Sequence, residues 1–188
     1  MSGKLFLFAA PSGAGKSTIV KNLLTKFDEL NFSISACTRK RREGEVDGVD
    51  YHFMTAEKFK EKISNNDFLE WEEVYPRNFY GTLKKDVEEI LGSGHHVIFD
   101  IDVQGALSIK EFYTDQALSI FVMPPSMDKL IERLKRRATE DPESLERRIK
   151  KASDEMGYSD RFDEVVVNDD LDEALEKSYK LVLNFINS

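Results

Sequence analysis

The stretch that decides the fold is KLFLFAAPSGAGKST, residues 4–18. Its apolar run, residues 5–9, is bounded by turn residues and predicts a buried strand. A glycine-containing turn follows over residues 10–15, and then Lys16, Ser17 and a helical pattern of apolar residues that continues to Phe27. A strand, a glycine-rich turn, Lys-Ser and a helix in this order are typical of a phosphate-binding P-loop.

Each residue type in this motif suits a phosphate ligand. The glycines allow backbone N–H groups to converge on a phosphate at the positive end of the new helix. Lys16 supplies a positive charge for β- and γ-phosphates, and Ser17 supplies a hydroxyl ligand for Mg²⁺. We therefore predict that the chain binds a nucleoside triphosphate through Ala10, Pro11, Ser12, Gly13, Ala14, Gly15, Lys16, Ser17 and Thr18.

One position departs from the G-x-x-x-x-G-K-[ST] pattern, because Ala10 replaces the first glycine. Alanine costs little at that position if its φ is negative and is strained if its φ is positive. The alternative interpretation of the motif is a solvated turn of glycine and serine that only joins a strand to a helix.

Composition narrows the class of protein. With 188 residues, 40% hydrophobic and 33% charged, the chain suits one medium-sized globular domain with insertions. The single cysteine, Cys37, excludes an intrachain disulfide and a multi-cysteine zinc site, and we expect it to be a packing residue. No window approaches the roughly 20 apolar residues of a membrane span. We therefore expect a cytoplasmic protein without a membrane partner.

Charge is distributed unevenly along the chain. The net charge of −8 argues against a general nucleic-acid-binding surface. Residues 126–151 nevertheless contain nine Lys or Arg against six Asp or Glu, and residues 39–42 form a second basic cluster. Basic segments in an acidic protein predict small anionic ligands held at defined places, whereas the alternative is solvated helix faces.

Hydrophobic patterns predict an α/β fold. Strands are expected at 5–9, 32–35, 51–53, 68–74, 78–80, 96–99, 118–122 and 164–167, with residues 36–50 as a loop. Helices are expected at 16–27, 55–63, 83–91, 103–112, 126–137, 143–156 and 171–186. Apolar strands that alternate with helices predict a parallel sheet of the P-loop NTPase type, with helices on both faces. Residues 35–94 look like a small α+β insertion.

With these residues identified, the chain resembles the guanylate kinase family, P-loop enzymes that transfer the γ-phosphoryl group of ATP to GMP. The resemblance covers residues 4–186 and is carried by APSGAGKST, SACTRKRREGEVDGVDYHF, FLEW, YGT, DIDVQGA, RLKRR with ERR, and VVVNDD. It implies a core P-loop domain at 1–34, 95–125 and 158–188, a GMP-binding insertion at 35–94 and a helical lid at 126–157. It also implies MgATP and GMP, with dGMP, as substrates, and it leaves the oligomeric state open.

The resemblance implies a GMP site made of Ser35, Arg39, Arg42, Tyr51, Glu70, Tyr80, Thr82 and Asp102. Guanidinium forks suit a monophosphate dianion, and the two tyrosines can add O–H donors. The Glu70 carboxylate suits the N1 and N2 donors of guanine, while Ser35 and Thr82 can hydrogen-bond around O6 and N7. By resemblance, Asp102 would reach toward the guanine amino group. Adenine lacks this pair of donors, so Glu70 would be left unpaired and would discriminate against it.

The resemblance further implies catalytic roles for Lys16, Arg39, Arg133, Arg137 and Arg148. Ser17 and Asp100 would hold Mg²⁺, and Asn168 matches the position on the adenine side of ATP. Arginines of a lid close over ATP and lower the charge on the transferring phosphoryl group. Since the GMP phosphate is ionised at neutral pH, we predict in-line transfer without a protein nucleophile or general base.

Three other functions deserve comparison with this one. The segment Asp-Val-Gln-Gly at 102–105 matches the D-x-x-G of a GTPase, but Asn168-Asp169-Asp170 lacks the Lys of an N-K-x-D motif. A non-catalytic guanylate-kinase-like module that binds phosphopeptides would have a degraded ATP site, whereas Lys16, Ser17 and Asp100 are all present. A P-loop kinase for another phosphate acceptor is disfavoured by Ser35, Glu70 and Thr82.

Overall fold

The computed structural model describes residues 3–137 and 142–188, and it leaves the side chains of Tyr75, Arg136, Arg137 and residues 142–144 undescribed. The strands are β1 Leu5–Ala9, β2 Leu30–Phe32, β3 Ala36–Cys37, β4 His52–Phe53, β5 Phe68–Tyr75, β6 Asn78–Leu83, β7 His96–Ile101, β8 Ala117–Met123 and β9 Glu164–Val167. The helices are α1 Lys16–Leu24, α2 Ala56–Ser64, α3 Lys84–Gly92, α4 Val103–Tyr113, α5 Met127–Arg137, α6 Pro142–Met156 and α7 Leu171–Ile186.

The main sheet has five parallel strands in the order β2-β7-β1-β8-β9. Helices α1 and α7 pack together over one face, and α3 and α4 cover the other. This architecture confirms the predicted α/β fold with a parallel sheet and helices on both faces. Because β1 is the central strand, the P-loop emerges from the middle of the carboxyl edge, where ligands bind in such sheets.

The composition of β1 explains its central position. All five residues of the strand are buried. Phe6 and Phe8 pack in the core under α1 and α7, while Leu5, Leu7 and Ala9 pack in the core under α3 and α4. Successive side chains of a strand point to opposite faces, so a strand that is apolar throughout must be covered on both sides.

A second sheet of four strands, in the order β4-β3-β6-β5, lies entirely within residues 35–94. Its core is formed by Ala36, Phe59, Phe68 and Phe79. Thr55 caps α2 as predicted, because its hydroxyl accepts a hydrogen bond from the Lys58 N–H at 3.3 Å. The assignment of separate domains to particular residue ranges stays a prediction.

Several predicted boundaries were wrong, and three of them have a clear physical reason. The expected strand at 32–35 occurs earlier, as β2, and the expected loop at 36–50 contains β3. β3 has only two residues, and it pairs with Tyr80 and Gly81 far along the chain. A strand this short has no alternation of apolar and polar residues from which it could be predicted. Helix α1 ends at Leu24 rather than Phe27, because the Thr25 hydroxyl donates to the Asn22 carbonyl at 2.7 Å and ends the helix.

Helices α5 and α6 pack against each other through a small core of their own. Leu130, Leu134 and Ala152 are almost completely buried there, while most other residues of the pair are charged. No helix within the described ranges combines the length and apolarity that a membrane crossing requires.

The core of the second sheet provides a test of the fold. Phe59 is fully buried and stacks on Phe68 with ring centroids 4.3 Å apart. Phe59→Ala is expected to lower the free energy of unfolding by about 3–5 kcal/mol, because it removes a large side chain and leaves a cavity. Urea denaturation followed by circular dichroism would measure the change. The matched control is Phe112→Ala, since Phe112 is 65% exposed and its loss should cost about 0.5 kcal/mol or less. Equal losses for the two variants would contradict the assigned core.

Candidate active site

The turn after β1 has the backbone of an anion site. Gly13 and Gly15 have φ angles of 94° and 93°, a left-handed conformation that favours glycine. Gly15 is the N-cap of α1, and no side chain caps that helix end. The N–H groups of Lys16 and Ser17 lie in the first turn of α1, where a helix supplies no acceptor of its own. A phosphate would therefore complete this helix terminus.

The Ala10 substitution is compatible with this backbone. Within the described residues, positive φ angles outside glycine occur at Asn66, Arg77 and Thr114, and Ala10 is not among them. Ala10 is also 8% exposed and packs in the core with Phe8 and Ala14. Alanine at this position is therefore unstrained, and its replacement of the first glycine costs little.

The turn lines the larger of two adjoining cavities, with a volume of about 490 Å³. Its wall consists of Ala10, Pro11, Ser12, Gly13, Ala14, Gly15, Lys16, Ser17, Asp100, Ile101, Asp102, Arg148, Lys151 and Glu155. All predicted P-loop residues except Thr18 contribute to this wall. Since the turn encloses a cavity of this size, it is more than a solvated connection between strand and helix.

Lys16 and Asp100 form an ion pair on the floor of this cavity. The Lys16 Nζ lies 2.6 Å from Asp100 Oδ1 and donates to the Ile101 carbonyl at 2.5 Å. The pairing of β1 with β7 brings these groups together, because Phe8 is in register with Asp100 and Ala9 with Ile101. The pair keeps an ammonium and a carboxylate at one end of the P-loop, within the cavity that a phosphate would enter.

The second cavity, of about 210 Å³, lies between the two sheets. It is lined by Ser35, Tyr51, Glu70, Val74, Tyr80, Gly81, Asp100, Ile101 and Asp102. Five of the predicted GMP-binding residues are therefore brought together here. The segment from Asp100 to Asp102 belongs to both cavities, so ligands in the two cavities would meet at the end of β7.

Glu70 is the most perturbed carboxyl group of the second cavity. Burial raises the pKa of Glu70 to about 7, and the nearby charge of Asp102 adds to the rise. The Thr82 hydroxyl opposes it by donating to Glu70 Oε1 at 2.6 Å, and Thr82 itself is 1% exposed. Thr82 thus orients the Glu70 carboxylate from behind rather than lining the cavity.

Asp102 has one oxygen already engaged. Its Oδ1 accepts a hydrogen bond from the Gly105 N–H at 2.9 Å and caps helix α4. This cap fixes the side chain at the boundary between the cavities. Its predicted contact with a guanine amino group would use the remaining oxygen.

Arg39 and Arg42, the two arginines predicted to bind the GMP phosphate, differ in exposure and in their contacts. Arg39 forms a two-pronged ion pair with Glu45, at 2.6 and 2.5 Å, which raises the pKa of Arg39 and lowers that of Glu45 to about 2. Its guanidinium lies 4.8 Å from the centre of the Tyr51 ring, and the Tyr80 ring packs edge to face on Tyr51 with ring centroids 6.1 Å apart. Arg42 is exposed, and its N–H donates to Glu45 at 2.8 Å. The structure therefore groups Arg39 with the two tyrosines and leaves the Arg42 side chain outside.

The predicted lid arginines contact the P-loop side of the site. Arg148 Nη2 donates to the Ser12 hydroxyl at 2.9 Å. Arg133 Nη2 donates to the carbonyl of Asn168 at 3.1 Å, and Asn168 Nδ2 in turn donates to the Ala14 carbonyl at 2.7 Å. The side chain of Arg137, which was also predicted to act here, lies outside the described residues.

Sequence reasoning missed three residues of the site. Glu45 holds Arg39, while Lys151 and Glu155 extend the wall of the larger cavity from α6. Lys151 and Glu155 follow Arg148 by three and seven positions, a spacing that places all three on one helix face and could have revealed them. Glu45 had a weaker signal, namely an acidic residue three positions after Arg42 in a basic loop.

Comparisons with known proteins agree with this geometry. The family model described as guanylate kinase matches residues 2–184. A guanylate kinase of Bacteroides thetaiotaomicron is 51% identical over 187 residues, covering 100% of this chain and 92% of the relative. One of Salinibacter ruber is 48% identical, covering 98% of this chain and 97% of the relative. The crystal structure of guanylate kinase from Anaplasma phagocytophilum matches with a TM-score of 0.78 and 32% identity, over 97% of this chain and 86% of that one. The chain therefore belongs to the guanylate kinase family.

Proposed function

We propose that this protein transfers the γ-phosphoryl group of ATP to GMP, and also to dGMP, giving ADP and GDP or dGDP. The observation that carries the proposal is the wall shared by the two cavities. A P-loop lines one cavity, a half-buried carboxylate suited to guanine lines the other, and the segment from Asp100 to Asp102 lies between them. Two phosphorylated substrates bound there would face each other across the end of β7.

The larger cavity would bind ATP. The backbone of the P-loop and the start of α1 would hold its β- and γ-phosphates, and Lys16 would leave Asp100 to pair with them. Arg148, which already reaches the Ser12 hydroxyl, would neutralise phosphate charge from α6. We assign Arg133 and Arg137 to the same role, and Asn168 to the adenine side.

The smaller cavity would bind GMP. Glu70, oriented by Thr82, would accept hydrogen bonds from guanine N1 and N2, and Asp102 would face the amino group. Arg39, Tyr51 and Tyr80 already form one cluster that would hold the phosphate. Arg42 would add its guanidinium by turning inward from the surface, and Ser35 would bond around O6 and N7.

The donor set fits Mg²⁺. Ser17 and Asp100 line one cavity, and Mg²⁺ in phosphotransferases is bound by one or two protein oxygens together with substrate phosphates. Within the described residues no group of three or more His, Cys, Asp or Glu forms a self-contained metal site, which agrees with a metal that enters with ATP. Mg²⁺ would supply neutralisation of charge on the β- and γ-phosphates.

The residues support transfer by positioning. The GMP phosphate oxygen is ionised at neutral pH, so the reaction requires neither a protein nucleophile nor a general base. Lys16, Arg39 and the lid arginines would hold the two phosphates in line and stabilise the charge of the transition state. Nucleotide substrates and a single cysteine also favour a cytoplasmic location, and the net charge of −8 disfavours nucleic acid as a partner.

A substrate panel tests the function. Release of ADP from MgATP would be followed with GMP, dGMP, AMP, UMP, CMP and TMP. We expect turnover with GMP and dGMP, at least about 10³-fold faster than with AMP, because AMP would leave the Glu70 carboxylate without its N–H donors. Lys16→Ala should abolish turnover with every acceptor, whereas Glu70→Ala should weaken the use of GMP.

The panel can also contradict the proposal. Comparable rates with AMP or a pyrimidine nucleotide would eliminate guanine specificity while keeping kinase activity. Binding of GMP without any turnover would favour a phosphate-binding module over an enzyme.

The affinity for GMP should depend on pH through Glu70. In the protein without GMP, the pKa of Glu70 is raised to about 7. The carboxylate that guanine requires is therefore lost as the pH falls through that value. Between pH 8 and pH 6, the dissociation constant for GMP should rise about 20-fold: about tenfold from Glu70 and about twofold from the GMP phosphate, whose pKa is about 6. Isothermal titration calorimetry without ATP would measure it.

Two variants control this measurement. Glu70→Gln should retain only the twofold change that arises from the GMP phosphate. Glu72→Gln removes a neighbouring carboxyl whose pKa is also raised by burial, and it should keep most of the change, because the charge of Glu72 is the smallest contribution to the raised pKa of Glu70. The same pH dependence in Glu70→Gln as in the wild type would assign the titration to another group.

Glu70 should also reduce the stability of the free protein. Because its pKa is about 7 in the folded state and about 4.5 when unfolded, the folded protein binds the proton more tightly, and stability falls as the pH rises from 4.5 to 7. Glu70→Gln should therefore raise the free energy of unfolding at pH 8 by about 1–3 kcal/mol, and by much less at pH 5. Urea denaturation at both pH values would measure the difference. Equal effects at pH 5 and pH 8 would contradict the ionisation argument.

A further inference from the structure

Asn168 lies directly after β9 and connects three parts of the site. It is 5% exposed, and its N–H donates to the Met123 carbonyl at 2.8 Å, which continues the ladder between β8 and β9. Its side-chain Nδ2 donates to the Ala14 carbonyl at 2.7 Å. Its own carbonyl accepts from Arg133 Nη2 at 3.1 Å. Asn168 is thus anchored by the sheet and contacts both the P-loop and α5.

The contact with Ala14 determines the orientation of a whole peptide group. The peptide between Ala14 and Gly15 is planar and trans, so its carbonyl and the Gly15 N–H point in opposite directions. A bond that draws the Ala14 carbonyl toward Asn168 therefore turns the Gly15 N–H away from Asn168. Gly15 lines the larger cavity, where the proposed phosphates bind.

Close packing makes this arrangement stiff. A Cβ atom on Gly15 would lie 2.2 Å from Asn168 Nδ2, so the amide occupies the space that a side chain would need. On the other side of the turn, a Cβ atom on Gly13 would lie 3.2 Å from both Leu130 and Leu134 of α5. The P-loop is therefore supported from two directions, by Asn168 and by the same helix that carries Arg133.

We propose that Asn168 is a positioning residue, which orients the peptide between Ala14 and Gly15 for the phosphates of ATP and joins that peptide to Arg133 of α5. The inference rests on the proposed function, because it concerns the same ATP site. It assigns the Asn168 amide to the phosphate end of ATP, in addition to any contact that the residue makes on the adenine side.

Binding of ATP and of inorganic tripolyphosphate separates these roles, because tripolyphosphate has no adenine. Asn168→Leu keeps the approximate size of the side chain and removes the donor to Ala14. We expect the dissociation constants of both ligands to rise about tenfold, in proportion to one lost hydrogen bond to a buried group. Isothermal titration calorimetry would measure both, and the affinity for GMP alone should stay unchanged.

Asn187→Leu is the matched control. Asn187 also donates its Nδ2 to a backbone carbonyl, that of Leu183 at 2.9 Å, but it lies exposed at the end of α7. This variant should bind all three ligands as the wild type does.

Two results would overturn the proposal. If Asn168→Leu weakens ATP but leaves tripolyphosphate unchanged, the residue acts through the adenine alone. If it weakens GMP as strongly as ATP and lowers the Tm, its role is general stability. Should the leucine variant fail to fold, Asn168→Ala provides the same comparison without added apolar bulk. A chain that binds tripolyphosphate in this way but does not phosphorylate GMP would contradict the proposed function and leave this inference intact.

Discussion

The site depends on the parallel pairing of β1 with β7. This pairing sets Phe8 beside Asp100 and Ala9 beside Ile101, so that the two strands end together at the carboxyl edge of the sheet. Lys16 at the start of α1 consequently meets Asp100, and the ion pair between them forms the floor of the P-loop cavity. The strands can pair in the middle of the sheet only because their residues are apolar toward both helical layers.

Two charged side chains at and near the second cavity, Glu70 and Arg39, differ in how well the free protein pairs them. Glu70 is placed where burial raises its pKa to about 7, with Thr82 as the main hydrogen-bond donor to it. Arg39 differs, because it donates two hydrogen bonds to Glu45 and its guanidinium lies 4.8 Å from the centre of the Tyr51 ring. In the protein without ligand, Arg39 is therefore fully paired, whereas Glu70 has few hydrogen-bond donors. A ligand with two N–H donors would stabilise the Glu70 carboxylate by supplying the hydrogen bonds that it lacks.

The P-loop is shaped by its neighbours as much as by its glycines. Both glycines have a positive φ; a side chain on Gly15 would collide with the amide of Asn168, and one on Gly13 would press tightly against the leucines of α5. The helix pair of α5 and α6 thus contributes to the loop in two ways, through apolar packing and through Arg133 and Arg148.

Much of this molecule follows from the sequence by itself. The apolar run of β1, the glycines and Lys16 determine the P-loop, since short strands, turns and helix starts are governed by residues close in sequence. The lengths and faces of α4, α5, α6 and α7 follow from periodicity for the same reason. Tertiary structure alone decided the rest: the pairing of β3 with β6, the approach of Glu45 to Arg39, the contribution of Lys151 and Glu155 to the cavity wall, and the Asn168 contact with Ala14. These features join a short strand or single polar side chains to partners that the fold selects, and such partnerships leave no periodic signal because hydrogen bonds and ion pairs depend on where the backbone places both groups.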